Sequence, residues 1–447
     1  MASMKGIYLR RKLFAFFGVE LFSLKKVFMS TIHEIRHVPA PAQVPALPCG
    51  EFPLIYIFVN PTSGGNAASA ISSVGVHHIT FSDPDIQSNV FIYNIRDGDH
   101  GNKPGFIDLR VRVEQVESEA NPVHVIIAGG DGTVMWAISE AQAHNVDMRK
   151  VAFGVIPYGT GNDFSRSLGW GGSSPGSNVM KDGMKKFKGL LKQYLEAEVI
   201  DFDIWNVEIK AAEEGGHIKQ VKNGHKVIMK DSEADRKILS KPMCNYFSLG
   251  IESRVGLGFD KKRTTSAFRN KMRYVIEGMK KTMTSTPRIK ELVEACVVEE
   301  NGGPRTVFRT TSHDAPQLIG NPVSLIFLNI NSFAGGCDLW RHASKAGISS
   351  ISRADLSVPQ SVGDGKLEVL TYQKLVSLSL EQSKNGVFGG NGMRIGQMDG
   401  PITLEFKNDL GNKRTYLQID GEFFTLDKCE SIRIKHSMVV KVLKKRI

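Results

Sequence analysis

Three short apolar runs in this chain each stop at a glycine-rich polar turn. Residues 54–59 lead into Asn60-Pro61-Thr62-Ser63-Gly64-Gly65. Residues 123–128 lead into Gly129-Gly130-Asp131-Gly132-Thr133, and residues 153–156 into Pro157-Tyr158-Gly159-Thr160-Gly161-Asn162-Asp163. The runs are rich in β-branched side chains and bounded by glycine or proline, which predicts buried strands. Helical spacing over 134–144 follows the second turn. Glycine lets a backbone approach a ligand with no Cβ in the way. A helix N-terminus adds free N–H groups and the positive end of the helix dipole, so strand, turn and helix together make an anion site. In an open parallel sheet such loops gather at the carboxyl edge, where ligands bind. Three of them point to one shared anionic ligand.

The rest of the chain divides around this core. Residues 1–51 read as an N-terminal extension, basic and apolar first, then a Pro/Ala linker up to Pro48. Residues 52–200 hold the three turns, a glycine- and serine-rich loop over 169–183 and a basic helix over 184–195. An alternating, strand-like region starts over 198–205, and from Cys244 on short strands dominate, at 323–330, 367–371, 402–406, 415–419 and 431–434, with 261–283 the main helical exception. Residues 210–241 are polar and lack a clear period, which predicts an inserted loop. The expected fold is α/β: a Rossmann-like parallel-sheet nucleotide domain, then a β-rich, sandwich-like second domain over 201–447.

Composition narrows the partners. Five cysteines, Cys49, Cys244, Cys296, Cys337 and Cys429, lie far apart. That spacing argues against a disulfide framework and a cysteine-ligated zinc module. The formal net charge of +11 favours anionic partners. No stacking platform of interleaved basic and aromatic residues is visible, so an anionic membrane surface fits better than nucleic acid. The apolar stretch 13–22 is too short to span a bilayer, which takes about 20 residues. An interfacial anchor or a mitochondrial transit segment remains open for it, beside a plain extension. His33-Glu34-Ile35-Arg36-His37 has zinc-protease spacing, but Pro39 and Pro41 cut short the helix that zinc chemistry would need.

The turns at 60–65, 129–134 and 157–166 resemble the catalytic domain of the diacylglycerol kinase family, which includes sphingosine and ceramide kinases. The downstream half matches in order. Asn245-Tyr246-Phe247-Ser248-Leu249-Gly250, Phe268-Arg269-Asn270-Lys271-Met272-Arg273-Tyr274, Asn329-Ile330, Gly335-Gly336, Asp364-Gly365-Lys366-Leu367, Arg394, Gln397 and Asp420-Gly421-Glu422 are similar to the accessory domain of the eukaryotic type. The resemblance implies ATP and Mg2+ as cofactors, and transfer of phosphate to the hydroxyl of 1,2-diacylglycerol to give phosphatidic acid.

With no phosphate loop of the Gly-x-x-x-x-Gly-Lys type, phosphate binding is expected on main-chain amides and hydroxyls. The ATP-binding candidates are Gly129, Gly130, Gly132 and Thr133, helped by Ser63, Gly64 and Thr160, together with Gly159 and Gly161, and with Asn60 and Asn162 fixing loop shape or the nucleotide. Asp131 is expected to hold magnesium or orient the acceptor, and its alanine variant to lose turnover with the fold intact. Two carboxylates flank Gly421, so of Asp420 and Glu422 one would serve as base while the other binds magnesium. Without the resemblance, Asp-Gly there is a plain hairpin turn. The resemblance implies substrate contacts at Asp163 and Arg166, a structural magnesium at Asp364, and a cytoplasmic, peripherally membrane-associated enzyme.

Departures from the family pattern fall at Tyr158, at Glu252-Ser253 and at Phe423-Phe424. They bear on lipid choice, so sphingosine or ceramide stay as alternative acceptors. A non-catalytic membrane scaffold and a relative of NAD kinase or phosphofructokinase are the rival readings.

Overall fold

The computed structural model describes residues 32–36, 52–222, 225–228, 237–260, 286–312, 314–383 and 390–446. The first unit contains β1 (Ile32–Arg36), β2 (Leu54–Val59), α1 (Ser69–Ser72), β3 (His78–Asp83), β4 (Ile86–Asn94) and α2 (Pro104–Glu114). It continues through β5 (Val123–Gly129), α3 (Asp131–Ala143), β6 (Val151–Pro157), α4 (Asp163–Ser167) and α5 (Lys185–Leu195). Strands β4, β2, β5 and β6 lie side by side in parallel. The antiparallel β3 extends this array. Every residue of β6 is buried, as expected of a parallel strand covered on both faces. Phe106 and Leu109 of α2 and Val134 of α3 cover one face, over Phe58, Val125 and Phe153. Phe187, Leu191 and Tyr194 of α5 cover the other, over Ile57, Ile126 and Ile156. Residues 32–36 are extended and pair with β3, so His33 does not lie on a helix; His37 lies outside the described residues. The other N-terminal expectations lie outside the described residues.

The second unit runs through β7 (Glu198–Ala211), β8 (His217–Lys222), β9 (His225–Ile228), β10 (Ile238–Met243), β11 (Tyr246–Gly250), α6 (Ile251–Asp260), α7 (Ile289–Leu292), β12 (Val293–Glu300), β13 (Gly303–Arg309) and β14 (Ser324–Leu328). Then come α8 (Leu339–His342), β15 (Lys345–Ala346), β16 (Leu367–Tyr372), α9 (Leu375–Ser383), β17 (Met393–Met398), β18 (Ile402–Phe406), β19 (Arg414–Ile419), β20 (Glu422–Asp427) and β21 (Cys429–Lys444). One sheet has the order β15-β17-β16-β14-β11-β19-β20-β8-β9. It packs on the far half of the first sheet through Trp205, Val207, Phe247, Phe327, Leu417 and Ile434. This is a β-sandwich core.

The two units share one twelve-stranded sheet. Strand β21 lies antiparallel to β7 from Cys429 opposite Ala211 to Lys444 opposite Glu198. On its other edge the first half pairs with β18, and the last residues pair in parallel with β6, Lys441 beside Ala152. Residue 200 therefore sits inside a strand rather than in a linker. The expected loop over 210–241 is also corrected: it carries β8, β9 and the start of β10. Ile218 enters the sandwich core and β8 pairs with β20, so tertiary pairing overrides a polar composition. The helix expected over 261–283 lies outside the described residues.

His124 on β5 carries a buried, unpartnered Nδ1, and burial lowers its pKa to about 4. A depressed histidine adds stability that is complete above pH 6.5 and declines as pH falls toward 4. The loss is on the order of 3 kcal/mol. Chemical denaturation of wild type and His124→Gln across pH 4–7 should show this component in the wild type alone.

Candidate active site

The carboxyl ends of β2, β5 and β6 carry the three turns, as parallel order requires. Main-chain bonds continue the ladder past the strands: Asn60 N–H donates to Ala128 O at 3.0 Å and Tyr158 N–H to Gly129 O at 2.8 Å. Asn60 Nδ2 donates to Thr133 Oγ1 at 3.2 Å, tying the first turn to α3. A Cβ added to Gly130 would lie 2.9 Å from Gly159 Cα, and one on Gly159 would lie 2.6 Å from Gly130 Cα. The second and third turns therefore touch backbone to backbone, and no larger residue fits either position. Gly129 is closed off by the Thr133 side chain, whereas a Cβ on Gly132 would meet nothing within 4 Å. Gly64 holds φ +63°, a left-handed turn under the Tyr158 ring.

Between these turns lies a cleft of about 550 Å³. Asn60, Ser63 and Gly64 line it from the first turn, Gly130, Gly132 and Thr133 from the second, and Gly159 and Thr160 from the third. Gly129, Asp131, Gly161 and Asn162 stand behind this lining. Asn162 is left-handed at φ 52° and its Nδ2 donates to Gly159 O and Gly172 O, at 3.0 and 2.9 Å. It shapes the third turn from within. Ile95, Trp136 and Tyr158 complete the wall. Ile95 and Trp136 were not anticipated as site residues, and Tyr158 only as a departure from family pattern. For Trp136 a signal existed. It follows Thr133 by three positions and Gly132 by four, so a helix places all three on one face.

Three acids gather behind the cleft. Asp131 Oδ2 and Oδ1 accept the main-chain N–H of Asp163 (3.0 Å) and Phe164 (3.1 Å). Burial, then the charge of Asp163, push its pKa up to about 7. Asp163 is itself buried. Its Oδ1 accepts from Ser332 Oγ at 2.6 Å, Gly335 N at 2.8 Å and Gly336 N at 3.2 Å, and its Oδ2 from the Tyr246 hydroxyl at 3.2 Å. Through these bonds it joins the two units. Arg166 is exposed, and its Nε donates to Gly161 O at 3.0 Å.

Asp420 and Gly421 make a two-residue hairpin turn between β19 and β20, with φ of 47° and 79°. Asp420 Oδ2 accepts from Cys244 N at 2.8 Å. Its Oδ1 accepts from Asn245 N at 2.8 Å and Tyr246 N at 3.0 Å. Burial raises its pKa although these amides favour the charged form. Glu422 differs: its side chain is 48% exposed, ion-paired with Lys241 and hydrogen-bonded to Gln220 Nε2 at 2.7 Å. The two carboxylates of this turn thus occupy unlike surroundings. Asp364 accepts from Lys366 N at 3.1 Å in a tight turn, and burial, then main-chain and charge effects including Asp203, leave its pKa raised.

Two family models match this chain: "Diacylglycerol kinase catalytic domain" over residues 54–207 and "Diacylglycerol kinase accessory domain" over 242–423. Probable diacylglycerol kinase 3 of Caenorhabditis elegans is 25% identical, across 87% of this chain and 43% of its own length. Diacylglycerol kinase zeta of Homo sapiens is 27% identical, across 87% of this chain and 34% of its own. The chain thus spans less than half the length of these relatives. Diacylglycerol kinase 1 of Oryza sativa is 24% identical, across 82% of this chain and 74% of its own. A solved chain from Bacillus anthracis aligns over 89% of this chain and 99% of its own at 14% identity, with a TM-score of 0.44. With both models matching in order, one on each unit, this chain belongs to the diacylglycerol kinase family.

Proposed function

We propose that this chain is an ATP-dependent lipid kinase that phosphorylates the free hydroxyl of 1,2-diacylglycerol to give phosphatidic acid. The observation that carries the reading is the single cleft on which three glycine turns converge, backed by Asp131. Its polar lining is main-chain amide and hydroxyl, which suits a polyphosphate. Gly130, Gly132 and Thr133 at the start of α3 would cradle the phosphates, with Ser63, Gly64 and Thr160 opposite. The names of the relatives supply the lipid acceptor.

The donor set suits magnesium. Asp131, Asp163 and Asp420 repel one another, and a cation would relieve that repulsion. Among the described residues, no three His, Cys, Asp or Glu side chains converge into a closed cage. That fits an ion held by one or two carboxylates together with substrate phosphates. Asp131 is the assigned holder, with Asp420 nearby. When bound, the ion neutralises charge on the transferring phosphoryl group.

Glu422 is the better base of its pair. Asp420 is committed to three amides, whereas Glu422 is released by exchanging a surface ion pair, an interaction worth little. Asp420 then acts by holding residues 244–246 and the turn that presents Glu422. Asp131 also fixes the start of α4, so its alanine variant would disturb α4 as well as chemistry.

Among the described residues no helix is long and apolar enough to cross a membrane. The lipid would be met at an anionic membrane surface, toward which the exposed Lys185, Lys186 and Lys192 of α5 contribute charge.

Labelled ATP, Mg2+ and vesicles containing diacylglycerol, monoacylglycerol, sphingosine or ceramide test the reading together. Phosphatidic acid is the expected product. A sphingosine or ceramide product would move the acceptor, and lipid binding without turnover would favour a scaffold. Glu422→Gln should lower kcat by about 10²–10⁴-fold with ATP affinity unchanged. Gly159→Ala should weaken ATP binding at least about tenfold by calorimetry, since overpacking of this kind costs about 1–3 kcal/mol locally.

A further inference from the structure

Beyond the polar half of the cleft, its wall changes character. Trp136 and Ile95 both line it, and both are half-buried. Trp136 lies one turn along α3 from Gly132 and Thr133, displaced from the anion end of the helix by roughly 5 Å. Its indole is braced. Phe106 meets it edge-on at 5.8 Å and 72°, and Lys103 Nζ lies 5.7 Å from the ring centre.

Ile95, the other apolar lining residue, is fixed as firmly. Ile95 starts a loop that reaches α2 at Pro104. Lys103 Nζ donates to Ile95 O at 3.0 Å and Gly98 O at 2.5 Å, closing that loop on itself. The loop is then strapped to α3. Glu140, almost fully buried, accepts from Gly101 N at 3.3 Å and pairs with His100 Nδ1 at 2.5 Å. Lys103 N donates to His144 Nε2 at 2.8 Å. Glu140 and Trp136 are four residues apart on the same helix. One element therefore carries the aromatic lining residue and the anchor of the loop that Ile95 begins.

We propose that Trp136 and Ile95 form a preformed slot in which the base of the nucleotide stacks, and that the Glu140 strap sets its width. This rests on the nucleotide reading of the cleft and adds which residues hold the base. Stacking on an aromatic face strengthens binding substantially and tolerates different bases, because every base has a π-face. A slot fixed before binding avoids the entropy of ordering a loop around the ligand.

The test separates base from phosphate. The affinities of ATP and of inorganic tripolyphosphate, each with Mg2+, are measured by calorimetry for wild type, Trp136→Ala and Trp136→Phe. In Trp136→Ala the ATP affinity should fall roughly tenfold or more while that of tripolyphosphate holds. Trp136→Phe should retain most of the ATP affinity. Wild-type tryptophan emission should be quenched by ATP and unaffected by tripolyphosphate. Trp136→Phe should lose that quench, because Trp205 and Trp340 are almost fully buried elsewhere and Trp170, stacked on Tyr194 and bonded to Leu443 O, is not part of the cleft lining. The slot is refuted if ATP affinity is unchanged in Trp136→Ala, or if both ligands weaken together. A wild type that binds neither ligand would instead overturn the nucleotide reading beneath it.

Discussion

The cleft depends on two α-carbons meeting with nothing between them. Gly130 and Gly159 close the carboxyl edge of β5 against that of β6, and a methyl group on either would overlap the other. Because the turns touch, the N-terminus of α3, Thr160 and the first turn face one space instead of three. A cleft whose three turns contribute main chain and short polar side chains has little side-chain reach to correct a misplaced loop. Its accuracy comes from the sheet beneath and from the absence of side chains at the contact.

From that contact the acids extend into the second unit as a chain of caps. Asp131 on α3 holds the start of α4, Asp163 on α4 holds Ser332, Gly335, Gly336 and Tyr246, and Asp420 holds residues 244–246. Each carboxylate is satisfied by donors from the next segment. Buried acids that repel one another remain tolerable because each is paired with several hydrogen-bond donors. The segments of the second unit at residues 244–246 and 332–336 are thereby tied to the acids next to the glycine turns.

Much of the first unit could be read directly. Apolar strands buried on both faces, such as β6, show as continuous runs, and the glycines that end them are required by the geometry. The second unit was legible as β-rich because short apolar runs recur along it, several of them, such as β14 and β16, buried at every residue. What could not be read is pairing across long separations. Nothing local says that β21 continues to Lys444, or that Ile218 lies in the sandwich core. Nor does composition reveal that Asp163 faces Ser332 or that Glu422 meets Lys241. Trp136 was within reach of helical spacing, three and four positions after Thr133 and Gly132.

Strand β21 has a consequence for how such a chain is made. On a ribosome, β2, β4, β5 and β6 emerge early, with all the glycine turns in place. The segment that pairs with β7 along its length and with the free side of β6 is translated only after the whole sandwich. Until then β6 presents an uncovered parallel edge, the kind of surface that recruits other chains. The nascent first unit therefore gains from a chaperone or from slow release, and shortening the sequence before β21 would leave it exposed to aggregation.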